Sequence, residues 1–133
     1  MHIKLWISLC LLLVFVGCMS TGQNYQSYKL PSGKEIKVTG IMRMDFPNSD
    51  PALVFNYQTD IPIDGKQALR KEVDEIWSVF QKDVEKANLK SGAIRATHVE
   101  GTGLIKSGKG YGFVFVKRDD GQWHCLEDDG KPK

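Results

Sequence analysis

The run DGKQALRKEVDEIWSVFQKDVEKANLKSG, residues 64–92, decides how this chain folds. Leu69, Val73, Ile76, Trp77, Phe80, Val84 and Ala87 recur at steps of three and four, with Arg70, Lys71, Asp74, Glu75, Gln81, Lys82 and Glu85 between them. That spacing puts one apolar stripe on a helix and turns the charges outward. Asp64 is the expected N-cap, its carboxylate accepting an orphan backbone N–H, and Gln67 three residues on completes a capping-box-like pair. Asn88 to Gly92 supplies the stop. Acids and bases are mixed on the polar side, whereas a helix lying in a membrane surface concentrates Lys and Arg there, so the stripe reads as core.

On either side of the helix the period changes to two. Lys34 to Phe46 follows the turn signal Pro31-Ser32-Gly33 and alternates: Ile36, Val38, Met42, Met44 and Phe46 in one register with Gly40, and Glu35, Lys37, Thr39, Arg43 and Asp45 in the other. Alternation of this length predicts a half-buried strand. Pro47 to Pro51 breaks it, and Ala52 to Thr59 makes a second strand, giving a hairpin. After the helix come a short strand at Ala93–Val99, a glycine-rich stretch at 101–112, a β-prone run at Tyr111–Arg118, the turn Asp119-Asp120-Gly121, and a returning strand at Gln122–Glu127. Asp-Gly between two such runs is a hairpin signal. The order ββαβββ with a single helix predicts an α+β two-layer sandwich with a mostly antiparallel sheet of four to five strands, the helix on one face. The domain is expected over residues 31–128, with a polar tail at 129–133.

Two of these strands are apolar on both faces. Leu53, Phe55 and Tyr57 alternate with Val54, and Tyr111, Phe113 and Phe115 alternate with Val114 and Val116. Strands of that kind are normally buried on both sides, yet one helix covers one side. The second face is then covered from within the chain, or is a contact surface for a protein partner or a second copy, or a small ligand sits between helix and sheet. Leu53, Phe55, Tyr57, Tyr111, Phe113 and Phe115 are the candidate contact residues.

The beginning of the chain bears on location. His2 and Lys4 precede an apolar run from Leu5 to Val16, and Val16-Gly17-Cys18 places small-to-medium residues before a cysteine. The run is shorter than the roughly 20 residues that span a bilayer as a helix, and a basic start, a short apolar core and a small residue before the cut form an export signal. The segment resembles the signal of bacterial lipoproteins. The resemblance covers these residues alone and implies a signal peptide at 1–17, lipid attachment at Cys18, and a polar tether over 18–30. It also implies a place in the cell envelope on the periplasmic side. Ser20 following Met19, where inner-membrane retention would use aspartate at that second position, leans it toward the outer membrane.

Chemistry-bearing motifs are few. Removing residues 1–17 takes away Lys4 and leaves 17 basic against 16 acidic side chains, a net charge near +1. That is no footprint for nucleic acid, which needs a clustered basic face. Gly103 to Gly110 comes within one residue of a phosphate-binding loop, but Gly110 stands where a Ser or Thr hydroxyl must ligand magnesium, and a strand follows where a helix is required. No nucleotide, metal or other cofactor is therefore expected. With Cys10 in the signal and Cys18 lipidated, Cys125 has no intramolecular disulfide partner. His124 and Cys125, adjacent on a strand, point to opposite faces and cannot easily share a metal. Asp119, Asp120, Asp128 and Asp129 read as solvated turn charges. The expectation is a lipid-anchored, non-enzymatic, protein-binding or accessory module. The alternative is a ligand-binding or enzymatic domain that uses the 101–112 loop as a lid over His98 and Cys125.

Overall fold

The computed structural model describes residues 25–101, 104 and 106–126. The signal segment, Cys18 and the first part of the tether, Gly103 of the glycine stretch, and the 129–133 tail lie outside the described residues.

Six strands and one helix follow in the order β1 (Gln26–Lys29), β2 (Glu35–Phe46), β3 (Ser49–Gln58), α1 (Lys66–Lys86), β4 (Ser91–Glu100), β5 (Ser107–Lys117) and β6 (Trp123–Leu126). They form one sheet in sequential order, β1 to β6. Four neighbouring pairs are antiparallel, and only β3 and β4 run parallel. The helix imposes that exception. Its 21 residues at 1.5 Å each span about 31 Å, which matches the length of β3 at about 3.3 Å per residue. The chain is thus carried back along the sheet to the end where β3 began, and β4 must start there.

The α+β architecture agrees with the sequence reading, while the sheet has six strands where four to five were expected. The additional strand is β1, inside the stretch read as tether, and Leu30 after it is buried in the core. All four β1 side chains are exposed. The strand is held by backbone pairing to Glu35–Val38, so its sequence needs no apolar alternation.

The helix ends differ in how well they follow local chemistry. At the C-terminus Asn88 takes a left-handed φ of 57°, its N–H bonds Glu85 O, and the Leu89 N–H reaches back to Val84 O. With Leu89 buried, this is a Schellman stop. At the N-terminus the expected Asp64 cap does not form. A Pro62–Gly65 turn, closed by Gly65 N–H to Pro62 O at 2.9 Å, moves the N-cap to Gly65, which has no side chain to cap with.

Leu69, Val73, Ile76, Trp77, Phe80 and Val84 are buried as the period requires, Ala87 is exposed, and Glu72 is buried with the stripe. Against the sheet they build a run of aromatic contacts. Trp77 stacks on Phe115 at 4.1 Å and meets Trp123 and Phe80 edge-on, and Phe80 continues to Phe55 at 5.3 Å. Helix and sheet approach closely at Gly92, where an added Cβ would lie 2.8 Å from the Trp77 ring and 3.0 Å from Val84.

Candidate functional site

Strand register decides which side chains meet the helix. Leu53, Phe55 and Tyr57 pair with Gly92, Ile94 and Ala96, which pair in turn with Phe115, Phe113 and Tyr111. Of these, Phe55, Tyr57, Ile94, Ala96, Phe113 and Phe115 are buried in the helix-side core, with Leu53 and Tyr111 packed at its margin. The six side chains named from sequence as contact candidates are therefore the floor under the helix, and the accessible apolar surface is on the other side. Large aromatic residues on a strand signal burial strongly, but periodicity alone does not say beneath which layer.

On the far face the same register places Met42 beside Val54, Val54 beside Ala93, Ala93 beside Val114 and Val114 beside Leu126. This apolar row crosses five strands. Met44 beside Ala52 and Val116 on β5 widen it. Val54 is buried at 8% exposure yet lies outside the helix-side core, while Met42 (52%), Met44 (41%) and Val114 (38%) are open. No helix among the described residues packs here, and none is long and apolar enough to cross a membrane.

A bulge brings β2 into this row. The register shifts between Val38 and Gly40, so Thr39 is the extra residue and every later side chain changes sides. Ile36 and Val38 face the helix, and so does Ile41 beside Phe55, whereas Met42 and Met44 face away. The single apolar register expected for Ile36 to Phe46 is thereby split between the two faces.

Arg95 is the charged side chain in the middle of the far face. It sits between Asn56 on β3 and Gly112 on β5, is exposed, and takes part in none of the ion pairs among the described residues. Gly108, Gly110 and Gly112, read from sequence as part of a loop, belong to β5 and point to this face. A Cβ on Gly110 would lie 3.6 Å from Arg95 Nε, so the guanidinium lies over a strip without side chains. Half of the 101–112 stretch, residues 107–112, is strand.

A buried polar cluster ties the carboxyl end of β3 to the helix. Glu72 pairs with Lys34 and accepts a 2.7 Å hydrogen bond from the Thr59 hydroxyl, while the Thr59 carbonyl contacts His98 Nδ1 at 3.1 Å. Ser32 N–H bonds Glu75 Oε1 at 2.7 Å and fastens the β1–β2 turn to the same helix; the Ser32 hydroxyl first, and then this N–H, hold that carboxyl below its usual range. Tyr57 Oη is buried beside Glu72 and Thr59. Burial first, then the Glu72 charge, push the Tyr57 phenol well above the ordinary tyrosine range.

That shift predicts an alkaline effect. A group whose pKa is raised in the folded state contributes stability that is complete below its unfolded value, about 10, and is lost as pH rises beyond it. Urea midpoints should therefore fall between neutral pH and pH values above about 10, and Tyr57→Phe should flatten this decline. The same alkaline slope in both proteins would refute the assignment.

The remaining sequence candidates are dispersed. Cys125 pairs with Phe115, which pairs with Gly92, whereas His98 lies six residues along β4, about 20 Å away at strand spacing. They make no nucleophile pair. Cys125 is buried on the helix side next to Arg70, and His124 Nε2 lies 3.6 Å from Asp120 on the other face. Among the described residues no group of three or more His, Cys, Asp or Glu side chains is placed to hold a metal. The strongest site feature is therefore the far-face row with Arg95, whose sequence signal was the Val54, Val114 and Val116 register. No family model, no curated protein and no solved structure matches this chain.

Proposed function

We propose that this protein is a lipid-anchored lipoprotein of the bacterial envelope that acts without catalysis, as a binding module for another protein. The observation that carries the reading is the sheet face that no helix among the described residues covers, an apolar row through Met42, Val54, Ala93, Val114 and Leu126 on which Met42 and Val114 are open. Apolar surface of this kind, rimmed by polar residues, marks interaction sites. Arg95 beside it favours a partner segment that lays apolar side chains along the row and brings a carboxylate over the β5 glycines, since charge complementarity sets register and partner choice.

A photo-crosslinking residue in place of Val114, in the full-length protein in its native envelope, tests this. A discrete adduct is expected, and adding Arg95→Glu should abolish it while leaving the circular dichroism spectrum unchanged. No adduct from that position, or one indifferent to Arg95→Glu, would overturn the partner chemistry. Light scattering of purified residues 19–133 separates the alternatives, since a dimer makes a second copy the partner. Anchoring has its own test. Cys18→Ala should abolish acyl labelling and release the protein from membranes, and unchanged labelling would refute it.

A further inference from the structure

We propose that the domain stands edge-on at the membrane, with Tyr25 and the outer half of β2 resting at headgroup level. The proposal rests on lipidation at Cys18 and adds to it the surface that meets the bilayer.

Strand β1 pairs with β2 only over Glu35–Val38. Beyond the Thr39 bulge β2 has β3 on one side and, among the described strands, none on the other. Along this open edge Ile41, Met42, Met44 and Phe46 are each between 41% and 52% exposed. The bulge turns Ile41 to the helix side and Met42 and Met44 to the far face, so apolar surface wraps around the edge like a keel. A cleft of about 120 Å³ between Val38, Ile41, Phe55, Ile76 and Phe80 opens beside it. Long exposed apolar edges invite unwanted strand pairing and are normally shortened or charged. Here Arg43, the cation within the run, is paired to Asp45 at 3.2 Å.

The chain's own connection says what meets this edge. Gln26 pairs with Val38, so the described chain begins beside the bulge, where Tyr25 lines a depression with Gly40 and Ile41. Six residues, 19–24, separate Cys18 from Tyr25. Fully extended, that connection reaches about 25 Å, so a lipid on Cys18 keeps the start of β1 and the neighbouring β2 edge within that distance of the bilayer. The unpaired backbone of an edge strand needs water, which limits contact to the interface and excludes the hydrocarbon. The exposed Arg43–Asp45 pair carries no net charge, so the contact is mainly apolar and depends little on salt. The far face then stands upright from the membrane, open sideways.

The test uses full-length lipidated protein in phosphatidylethanolamine–phosphatidylglycerol vesicles. In a Cys125→Ser background, nitroxide labels are placed at Met44→Cys, Phe46→Cys and, at the opposite edge, Asp119→Cys, with folding checked by circular dichroism. Accessibility to oxygen relative to a water-soluble nickel chelate should be several-fold higher at positions 44 and 46 than at 119, and unchanged by added salt. Equal, water-like values at all three positions in a protein that still floats with the vesicles would overturn the edge contact and leave the anchor standing. Protection at 44 and 46 from both reagents would assign the edge to a protein strand or a second copy, which also overturns it. A protein that does not float with the vesicles would refute lipidation, and the edge contact with it.

Discussion

Phe80→Ala should lower the stability of the domain by about 3–5 kcal/mol, the usual cost of truncating a buried phenylalanine. Phe80 is almost fully buried at the centre of the helix stripe, touching Phe55 on β3 at 5.3 Å and Trp77 one turn back at 5.9 Å. Its ring therefore bridges helix and sheet, and alanine leaves a cavity that neither rigid element can close. Domains of this size are stable by about 5–15 kcal/mol in total, so the variant loses a large share. Urea unfolding followed by tryptophan fluorescence reads the change through Trp77, which contacts the site. Lys82→Ala, on the exposed side of the same helix, should stay within about 0.5 kcal/mol of the parent. A loss below about 1 kcal/mol for Phe80→Ala would mean that the helix does not rest on β3 as described, since large core truncations cost several times that.

Gly92→Val should cost about 3 kcal/mol, at the upper end for overpacking a closed core. Valine suits a strand better than glycine does, so conformational preference alone predicts a gain. Space predicts the reverse. The added Cβ would sit 2.8 Å from Trp77 Cζ3 and 3.0 Å from Val84 Cγ2, and the Trp77 ring is itself held flat against Phe115, with centroids 4.1 Å apart. The helix must lift, or Trp77 must leave its stack. Trp77→Phe removes the outer ring atoms that collide, so in a double-mutant cycle the two changes should cost less together than the sum of each alone, contacting residues being the ones that couple. Strict additivity would show that the contact is relieved elsewhere.

Much of the fold is legible in the residues themselves. The helix is written in seven apolar positions at three- and four-residue steps, and its stop in Asn88 followed by a buried leucine. The β5–β6 hairpin is written in Asp120-Gly121, where Gly121 supplies a φ of 78°. β1 was not legible, because an edge strand that contributes only backbone hydrogen bonds carries no apolar pattern. The Asp64 cap failed because Asp64 lies inside the Pro62–Gly65 turn, which moves the helix start one residue on, to Gly65.

The site was half legible. That two strands are apolar on both faces could be read from Leu53 to Tyr57 and from Tyr111 to Val116. Which set is exposed could not, because period two is symmetric between the faces of a sheet and the helix breaks that symmetry only in three dimensions. The aromatic set went under the helix, where broad rings fill the space between layers, and the smaller valines were left outside with two methionines. Arg95 drew no notice in sequence and the β5 glycines were read as loop, the two being separated by a connection and joined only by register.

By itself, then, the sequence determined the element order from β2 onward, the one amphipathic helix and a near-neutral composition. These are local properties, set by spacing within a few turns or strand repeats. Only the tertiary structure decided that β3 and β4 run parallel, that Thr39 is a bulge sending Met42 and Met44 to the far face, and that the apolar row and Arg95 share one surface. Those facts depend on pairings between residues far apart in the chain, and a one-residue shift in any of them exchanges the buried face for the open one.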